Sequence, residues 1–359
     1  MNKRHYIIPV FVSHRGCPHD CVFCNQKKIT GQGGDATGAD VKAKIEEYLA
    51  TIPHVNTIIE LAFYGGSFTA IPLEQQVELL AAVQPYIEDG SIRNIRVSTR
   101  PDCINRQVLE VLKKYRVQIV ELGVQSMDEE VLALSNRGHS AQDVIDAVKL
   151  LKADGFIVGV QVMVGLPGDT EQKSLDTVKR LIELQPHIAR IYPALVIRNT
   201  YMEQMYYEGS YQPLSIEAAV EICKKQLILF EQNHIEVIRI GLQPTENILE
   251  GREVVAGPFH PSMRQLVVSS LYKALMESAL NSEEHIETLE IVVHPADISD
   301  LLGQKKMNIL FLKNVKKIDK IHIQQDGKQE RQSFLMKNGE IVRKLSIKDF
   351  FESPKIGRN

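Results

Sequence analysis

The first two hundred residues alternate short apolar runs with longer amphipathic segments, and this alternation limits the folds open to the chain. The apolar runs, rich in β-branched residues, start at Tyr6, Thr57, Ile92, Val117, Phe156 and Ile188. The segments between them space apolar residues at helical intervals, with charges on the opposite face. Nearly continuous apolar strands that alternate with helices indicate a parallel sheet covered by helices. Six such units predict an α/β fold, a partial (β/α)6 barrel of the TIM-like type.

The repeat ends at a cluster of breaker residues, GSYQP, from Gly209 to Pro213. Two more helical segments follow, with a strand at HIEVIRIGL between them and the polar stretch NSEEHIE after them. We therefore predict three parts: a barrel over residues 1–205, a C-terminal extension of the barrel over 206–283, and a small basic α/β module over 284–359.

The composition is that of a globular protein. Hydrophobic residues make up 44% of the 359 residues, and no run of about 18 apolar residues is present to cross a membrane. The apolar run near the N-terminus leads into charged residues without a small-residue cleavage site, so it indicates a strand and not a signal peptide. The cysteine count of 5 is odd, which argues against a disulfide framework. We expect a cytoplasmic protein with no membrane partner.

Three of the five cysteines lie close together after the first predicted strand, at Cys17, Cys21 and Cys24. The residues between them are polar, so a buried apolar trio does not fit. A structural zinc site would need a fourth ligand, for which His14 and His19 are near enough. An iron–sulfur cluster is held by thiolates, and three of them would hold three irons of a cubane and leave one iron free. The spacing alone does not name the ligand of that iron.

Other unusual residues follow the later strands in the same way. In (β/α) barrels the active site occupies the C-terminal ends of the strands and the loops after them. The loops after the second to fifth predicted strands carry Gly65-Gly66-Ser67, Ser98 to Asp102, Gln125, and Gly165 to Gly168. The sequence therefore predicts one functional rim that also includes the cysteine loop.

In this context the chain resembles the radical SAM superfamily, whose signature is C-x3-C-x2-C in the loop after the first strand of a partial barrel. The resemblance covers about Tyr6 to Tyr201. It implies that Cys17, Cys21 and Cys24 hold a [4Fe–4S] cluster, to whose open iron S-adenosylmethionine (SAM) binds through its amino and carboxylate groups. It further implies reductive cleavage of SAM to methionine and a 5′-deoxyadenosyl radical, with an electron donor such as flavodoxin or ferredoxin.

The resemblance also implies residues that contact SAM. Phe23 would lie beside the adenine, which Met163 and Gly165 would flank from another segment. Gly65-Gly66-Ser67 stands where the family has Gly-Gly-Glu and would offer backbone groups to the methionine amine.

Gln125 and Arg137 match a polar pair that contacts the ribose and carboxylate of SAM in the coproporphyrinogen-oxidase-like branch. An arginine suits a carboxylate because its forked donors match the two oxygens. Without that match, a solvated arginine on a helix would be an equally good interpretation. The resemblance names no catalytic residue.

Longer stretches resemble the catalytic subunit of Elongator and its short bacterial relatives, which lack the acetyltransferase domain. They are YGGSFTAIP, STRPDCI, VELGVQSMDEEVLALSNRGH, VMVGLPG and IYPALVIRNT, in the same order. That subunit uses the radical on an acetyl group to modify wobble uridine in tRNA. Ser98 departs from the glutamate common before TRPD, and no Gly-rich acetyl-CoA loop follows Leu280. The resemblance therefore implies modification of a tRNA-like RNA without implying wobble carboxymethylation.

The C-terminal segment is basic. From Gly303 onward it has 14 Lys and Arg against 6 Asp and Glu, a balance of +8. Because the whole chain has a net charge of −3, the preceding 302 residues must carry a net charge of −11. From Ile286 to Asp326 the pattern predicts strand, helix, Gly-containing turn, helix and strand, which resembles the KH core. In KH domains a GXXG loop clamps the nucleic-acid backbone. Here GQKK, Gly303 to Lys306, would be a degenerate form of that loop.

We predict RNA contacts at Gly303, Lys305, Lys306 and Asn308. Lys306 replaces the second glycine, so the close backbone approach that glycine permits is lost there. The alternative is a small appendage that packs on the barrel.

The function that these patterns favour is that of a radical SAM enzyme acting on RNA. Two alternatives stay open: a radical SAM enzyme acting on a small molecule such as a porphyrin, and a non-enzymatic RNA-binding protein with a structural metal site. Cys103 and Cys223 have no companions at ligand spacing and are expected to be small buried hydrophobes. His260 is expected to be structural.

Overall fold

The computed structural model describes residues 4–12, 17, 20–25, 36–53, 55–242, 252–280 and 286–352. Its largest element is a sheet of seven parallel strands that lie side by side in the order in which they occur along the chain. The strands up to residue 256 are β1 (Arg4–Val12), β2 (Thr57–Gly65), β3 (Asn94–Thr99), β4 (Val117–Gln125), β5 (Ile157–Val164), β6 (Ile188–Pro193), β7 (Val196–Ile197), β8 (Glu236–Ile240) and β9 (Val254–Ala256). The two short strands β7 and β9 pair with each other, antiparallel, outside this sheet.

Helices fill the connections between the strands. They are α1 (Gly38–Leu49), α2 (Leu73–Glu88), α3 (Arg106–Lys114), α4 (Glu129–Leu134), α5 (Ala141–Ala153), α6 (Glu171–Leu184), α7 (Tyr201–Tyr207), α8 (Ile216–Gln232) and α9 (Met263–Ala279). Most begin after a Ser, Thr, Asn or Asp whose side chain accepts a backbone N–H, as Asn105, Ser140 and Thr170 do. Such caps satisfy donors that the first turn leaves without partners, so the sequence itself fixes where the helices start.

The sheet has one strand more than the six units that the sequence indicated. The added strand is β8, which pairs in parallel with β6. It lies in the segment predicted as an extension of the barrel. Helix α8, which precedes it, packs against α6, and Gln226 donates to the carbonyl of Ser174 at 3.1 Å. This segment thus adds one more helix–strand unit after the breaker residues at Gly209 to Pro213.

The outer face of the sheet is apolar. On β2 the side chains of Ile59, Leu61 and Phe63 are buried against the helices, and Ile95 and Val97 continue this layer on β3. Because successive side chains on a strand point to opposite faces, the residues between these ones face the interior of the curled sheet. That interior face is not apolar, although the strands contain mostly apolar residues.

A chain of charged groups crosses the interior, which we call the lumen network: Glu60 (β2), Arg96 (β3), Glu121 (β4) and Arg190 (β6). Arg96 donates to Glu60 at 3.0 Å and to Glu121 at 2.7 Å. Arg190 donates to Glu121 at 3.1 Å and also to Tyr64 on β2 at 3.0 Å. Since β2 and β6 are four strands apart in the sheet, the contact between Tyr64 and Arg190 requires the sheet to curl into a partial barrel.

The lumen network keeps its charges. Burial alone would raise the pKa of Glu60, but Asn94, Arg96 and His5 hold it below its usual value. Burial would likewise lower the pKa of Arg190, and the neighbouring Glu121 outweighs that effect and raises it. Each buried charge therefore has an opposite charge at hydrogen-bond distance, which is the condition for tolerating it inside a protein.

The C-terminal module is a separate sheet of four strands with the order β11-β10-β12-β13. Its elements are β10 (Ile286–Val293), α10 (Ile298–Leu302), α11 (Met307–Val315), β11 (Ile318–Gln325), β12 (Ser333–Asn338), β13 (Ile341–Ser346) and α12 (Lys348–Glu352). Strands β10 and β11 are parallel, as their connection through two helices requires, and β12 and β13 are antiparallel. This confirms the predicted small α/β appendage and its order of elements up to β11.

The module packs on the two long helices that follow the barrel repeat. Tyr272 on α9 and Phe334 on β12 lie with their ring centroids 5.6 Å apart, and both are fully buried. Gln232 of α8 donates to the carbonyl of Phe350 at 2.7 Å. No helix in the described part of the chain is both long and apolar enough to cross a bilayer.

Candidate active site

The cysteine loop leaves the C-terminal end of β1, at the edge of the sheet where the loops after β2 to β5 also lie. Gly66 donates its backbone N–H to the carbonyl of Val12 at 2.7 Å, which joins the end of β2 to the start of this loop. Gly65 has φ 103°, and a Cβ there would lie 3.2 Å from the same carbonyl oxygen, so a side chain would be strained. The loop therefore starts from a fixed position beside Gly65-Gly66-Ser67.

Distant segments hold the loop in place. Val22 donates its N–H to the carbonyl of Ser135 at 3.2 Å, and the Asn136 amide donates to the carbonyl of Asp20 at 2.8 Å. On the other side, Met202 donates its N–H to the carbonyl of Val22 at 2.8 Å. Backbone groups between and beside the cysteines are thus satisfied by two segments that lie far along the chain.

Arg137, which was predicted to contact SAM, lies against the cysteine loop. Its Nη1 donates to Sγ of Cys21 at 3.1 Å, and its Nη2 donates to the carbonyl of Gly123. The residue is 6% exposed, so it is not a solvated helix arginine. Its Nε is buried and has no hydrogen-bond partner among the described residues.

Gly123 makes room for this arrangement and was missed in the sequence. A Cβ there would lie 3.2 Å from Nε2 of Gln125 and 3.3 Å from Nη2 of Arg137. The signal available was a glycine inside a strand, which marks a close approach by another group. Gln125, predicted as a SAM contact, has a left-handed φ of 67° and accepts from Gln161 at 3.4 Å.

Arg100, at the end of β3, is a second buried guanidinium at this rim. Its Nε and Nη2 donate to the two carboxylate oxygens of Asp102 at 2.9 Å each, and its backbone N–H donates to Oγ of Ser67 at 3.1 Å. Its Nη1 is buried and has no partner in the part of the chain that is described. The sequence placed Arg100 on the functional rim but assigned it no role.

The thiols at this rim are tuned by opposing effects. Burial raises the pKa of Cys17, and the charge of the neighbouring Cys21 raises it further. The positive charges of Arg100 and Arg137 act in the other direction, as does a hydrogen bond from the Ser67 backbone. The two positive charges therefore offset part of the effect of burial on the half-buried Cys17, whose pKa stays above its ordinary value.

His139 lies near the same arginines and stays neutral. Burial lowers its pKa to about 3, and the charges of Arg137 and Arg100 lower it as well. Its Nε2 lies 3.2 Å from the carbonyl of Val124, and in the neutral ring it acts as the donor there. Nδ1 is then a buried acceptor, and no described residue donates to it.

The Ser67 side chain belongs to a hydroxyl network below the rim. Ser67 Oγ lies 2.8 Å from Oγ1 of Thr99, which lies 2.6 Å from Oγ1 of Thr69, and Thr69 donates to the carbonyl of Cys103 at 2.7 Å. Ser67 is 1% exposed. The hydroxyl thus fixes the loop after β2 and is itself engaged within the protein.

Phe23, Met163 and Gly165 meet at one apolar cluster, as their predicted shared role beside adenine requires. Phe23 and Met163 pack against the buried cluster that contains Leu166 and Tyr211. Gly165 has φ 80°, a Cβ there would lie 2.7 Å from Leu214, and its carbonyl accepts from the Tyr211 hydroxyl at 2.6 Å. A side chain at Gly165 would therefore collide with the segment that closes this cluster.

The donor set of the loop suits an iron–sulfur cluster. Three thiols lie within eight residues, and two of them are close enough for their charges to interact. Two buried guanidinium groups, each with an N–H that has no described partner, add compensation for a negative group. Within the described ranges, no three His, Cys, Asp or Glu side chains already stand as a metal shell. His14 and His19, the alternative fourth zinc ligands, lie outside the described residues.

Two sequence profiles match most of the chain. Residues 11–181 match the Radical SAM superfamily, and residues 186–273 match the Radical SAM C-terminal domain. This chain belongs to the radical SAM superfamily. Membership makes it an enzyme and implies a [4Fe–4S] cluster and SAM as cofactors, while its reaction type stays open.

Curated relatives of this radical SAM enzyme include an uncharacterised protein of Methanocaldococcus jannaschii, 30% identical over 58% of this chain and 66% of that protein. The tRNA uridine(34) acetyltransferase of the same organism is 30% identical over 60% of this chain and 47% of its own length. The chain thus spans about half the length of that relative. The solved structure of Methanocaldococcus infernus Elp3, with an N-terminal deletion, has a TM-score of 0.62 over 78% of this chain and 65% of that one, at 24% identity, and shows the shared fold.

The loop predicted to bind RNA lies between α10 and α11. Gly303 has φ 73°, and Lys305 and Lys306 both adopt left-handed backbone angles, with their side chains exposed. Gln304 lies 2.8 Å from Nε2 of His260, which ties the loop to the segment before α9. The two lysines of this radical SAM enzyme are thus presented outward by a turn that the barrel side supports.

Asn308, also predicted to contact RNA, points inward. Its amide donates at 3.0 Å to Oγ and the carbonyl of Ser269 and to the carbonyl of Leu301. It is 5% exposed, so its side chain fixes the loop against α9.

The two remaining cysteines differ in burial. Cys223 is fully buried, and burial raises its pKa to about 12. Cys103 is half-buried at the rim, with its pKa raised first by burial and then by Asp102. Only Cys223 therefore has the surroundings of a small core hydrophobe.

Proposed function

We propose that this chain reductively cleaves SAM at a [4Fe–4S] cluster to give a 5′-deoxyadenosyl radical, and that it uses the radical to modify an RNA resembling tRNA. The observation that carries the proposal is the rim: a three-thiol loop at the C-terminal edge of a curled parallel sheet, beside two buried arginines that each have an N–H without a described partner. Such a site suits an anionic, thiolate-bound group in a barrel mouth.

The residues of the rim would have different roles in this reaction. Cys17, Cys21 and Cys24 would hold the cluster, which supplies the electron for SAM cleavage when a donor such as flavodoxin or ferredoxin reduces it. The curled sheet and its helix cover would exclude water and oxygen from the radical, which is the protein's share in such chemistry.

SAM would lie between the loops after β2, β4 and β5. The backbone of Gly65-Gly66-Ser67 would meet the methionine amine, and Gln125 and Arg137 would meet the ribose and carboxylate. Arg137 is already fixed by Gly123, so little side-chain entropy is lost when it pairs with a carboxylate. Phe23, Met163 and Gly165 lie in one apolar cluster and would line the adenine site.

RNA is the proposed substrate because two independent features favour it. One relative is named a tRNA uridine(34) acetyltransferase. In this chain, the C-terminal module is basic and presents Lys305 and Lys306 from a KH-like turn, with Gly303 and Asn308 shaping that turn. We place the enzyme in the cytoplasm, where a tRNA-like substrate would be met.

The deciding experiment uses the full chain, reconstituted anaerobically with iron and sulfide, then given SAM, dithionite and total cellular RNA. We expect about four irons per chain, release of 5′-deoxyadenosine, and a new modified nucleoside by mass spectrometry of the RNA. Stoichiometric zinc in place of iron would refute the cluster. Cleavage of SAM without any change in RNA, together with turnover of a porphyrin, would refute the substrate and favour the small-molecule alternative.

A further inference from the structure

The interior of the curled sheet changes character towards the C-terminal ends of its strands. The lumen network lies deep, and its four side chains are at most 8% exposed. On five strands the last residue but one faces this interior and is only half-buried: Phe11 (β1), Tyr64 (β2), Ser98 (β3), Met163 (β5) and Tyr192 (β6). Their neighbours on the outer face, such as Phe63 and Val97, are fully buried. The lumen network is therefore covered by a layer of side chains that solvent reaches, which we call the mouth layer.

Aromatic rings make up most of the mouth layer. Phe11 and Tyr64 are neighbours in register on β1 and β2, and their ring centroids lie 6.3 Å apart. Tyr192 pairs in register with Met163, which packs against the apolar cluster proposed for adenine. Half-buried rings in this position offer flat apolar surface to a ligand that enters from the rim, next to the place proposed for SAM.

One arginine of the lumen network holds both tyrosines. Arg190 donates from Nη2 to the hydroxyl of Tyr64 at 3.0 Å and from Nη1 to that of Tyr192 at 3.5 Å. Its guanidinium carbon lies 5.5 Å from the centre of the Tyr64 ring. Because both oxygens accept from Arg190, each hydroxyl keeps its own hydrogen to donate. Burial raises the pKa of Tyr64, so this hydroxyl is protonated at neutral pH. The mouth layer thus combines aromatic rings with two O–H donors.

A nucleobase matches this combination. It is planar, its faces stack on aromatic side chains, and the edge of uracil, cytosine or guanine carries a carbonyl oxygen that accepts from a hydroxyl. A ligand with carboxylates, such as a porphyrin, fits less well, because the charges of Arg96 and Arg190 below the layer are already balanced by Glu60 and Glu121. The base must be unpaired, since a base inside a duplex is covered by its stacked neighbours and its partner.

We propose that one unpaired base of the RNA enters the mouth of the barrel, stacks on the rings of Phe11 and Tyr64, and accepts a hydrogen bond from the Tyr64 hydroxyl through a carbonyl oxygen. This inference rests on the proposed function and gives its substrate a place in the molecule. Tyr192 supplies a second O–H donor on the side of Met163. The base would lie above the lumen network and below the loops that are proposed to hold SAM.

The test measures kcat/KM for RNA modification by the reconstituted full chain, given SAM, dithionite and an unmodified transcript of the RNA that the wild type modifies. Tyr64→Phe keeps the ring and removes the donor, so it should lose about tenfold, as for one hydrogen bond. Tyr64→Leu also removes the stacking surface and should lose about a hundredfold. A tyrosine that only supports the lumen network would give equal losses, since both variants break the same contact with Arg190. Equal losses would therefore overturn the inference.

Tyr207→Leu is the matched control. Tyr207 also belongs to an aromatic pair, with its ring centroid 5.5 Å from that of Tyr206, but it is 69% exposed on helix α7. Its kcat/KM should equal that of the wild type. Wild-type efficiency in Tyr64→Leu would overturn the inference alone and leave the proposed function intact. A wild type that cleaves SAM and modifies no RNA would refute the proposed substrate, and the inference with it.

A second measurement, on the wild type, covers the case in which Tyr64→Leu does not fold. Acetylation of tyrosine hydroxyls by N-acetylimidazole, followed by mass spectrometry, shows which tyrosines the bound transcript covers. Saturating transcript should largely prevent the labelling of Tyr64 and Tyr192 and leave that of Tyr207 unchanged. Unchanged labelling of Tyr64 while the transcript is bound would overturn the inference as well.

Discussion

The lumen network and the rim both contain buried arginines, but these arginines differ in whether all their nitrogens have hydrogen-bond partners. Arg96 and Arg190 face Glu60 and Glu121, and none of their buried nitrogens lacks a partner. At the rim, Arg100 and Arg137 each keep one buried N–H without a described partner. Arginine nitrogens that hydrogen-bond to other residues of the protein stabilise the fold. Equally buried arginine nitrogens without such a partner indicate where a group that is not part of the chain would bind.

This contrast predicts that damage to the two regions will show in different measurements. A change at the rim should remove a bound group while the fold persists. A change in the lumen should lower the stability of the fold first, because it strands an opposite charge inside the barrel.

The largest effect should come from the cysteine loop. Replacing Cys17, Cys21 or Cys24 by Ala should abolish iron binding after anaerobic reconstitution, since each removes one ligand of the cluster. Iron analysis and the absorbance of the brown protein provide the measurement. Cys223→Ala is the control and should retain full iron, because that thiol is fully buried in the core. Retention of the cluster in all three loop variants would contradict the assignment of these cysteines as its ligands.

In the lumen, Glu121→Gln should lower the free energy of unfolding by about 3–5 kcal/mol, since Arg96 and Arg190 both lose their shared carboxylate. Urea denaturation of the apoprotein measures this. The matched control is Glu130→Gln, whose pairing with Lys173 is exposed to solvent and should change the stability far less. Equal stability of the two variants would mean that the lumen network is not what holds the interior together.

Arg137→Ala should weaken SAM binding by about 1.5–3 kcal/mol, the range for a hydrogen bond to a charged group. Isothermal titration of the cluster-loaded protein with SAM would show this, and the iron content should stay at the wild-type level. Unchanged affinity would remove Arg137 from the SAM site and leave its contacts with Cys21 and Gly123 as its role.

His139 should make the rim sensitive to acid. Its folded pKa of about 3 lies below the unfolded value of about 6.5, so the unfolded chain binds an extra proton between these pH values. Stability should therefore fall as pH falls from 6.5 towards 3, by about 1.4 kcal/mol per pH unit for this group. In urea titrations at pH 7 and pH 5, His139→Gln should lose less stability than the wild type. The same loss in both proteins would show that His139 is accessible to protons in the folded state.

The smallest effect concerns a surface, where charges are solvated. Replacing Lys305 and Lys306 by Asp should weaken RNA binding at least tenfold, about 1.4 kcal/mol. Wild-type affinity should fall as salt rises, because lysines that neutralise phosphates release counterions. SAM cleavage without RNA should be unchanged, since the turn lies outside the rim. Equal RNA affinities of the wild type and the double variant in a filter-binding assay would indicate that the module has only a structural role.

The lumen network also shows which part of the fold could not be predicted from the sequence. The strands were recognised from β-branched runs, and the observed strands β2, β3, β4 and β6 each contain one charged residue, in this order Glu60, Arg96, Glu121 and Arg190. Those charges stand at interior positions of a two-residue period, but only the register between parallel strands reveals that they meet. Register depends on connections of 17 or more residues between these strands, which local patterns do not encode.

At the rim, local motifs carried more information. The cysteine spacing and the Gly-Gly and GLPG turns predicted which loops would gather at one edge, because the carboxyl ends of parallel strands share that edge. The surroundings of Arg100 and His139 were not predicted because they depend on which atom lacks a partner, and those of Gly123 depend on how closely Gln125 and Arg137 approach it. The sequence predicted the seventh strand but not that it joins the sheet, because its pairing with β6 depends on register and on the packing of α8.

The contacts that anchor the cysteine loop determine when, during synthesis, the loop can reach its folded conformation. Cys21 meets Arg137 across 116 positions, and the Asn25 amide meets the carbonyl of Arg198 across 173. A ribosome adds about 5–20 residues per second, so the thiols emerge about 6–23 s before the arginine that will lie beside them. During that interval the loop has neither its anchors nor its compensating charge. The cysteine loop therefore cannot take up its anchored conformation until translation has passed Arg198.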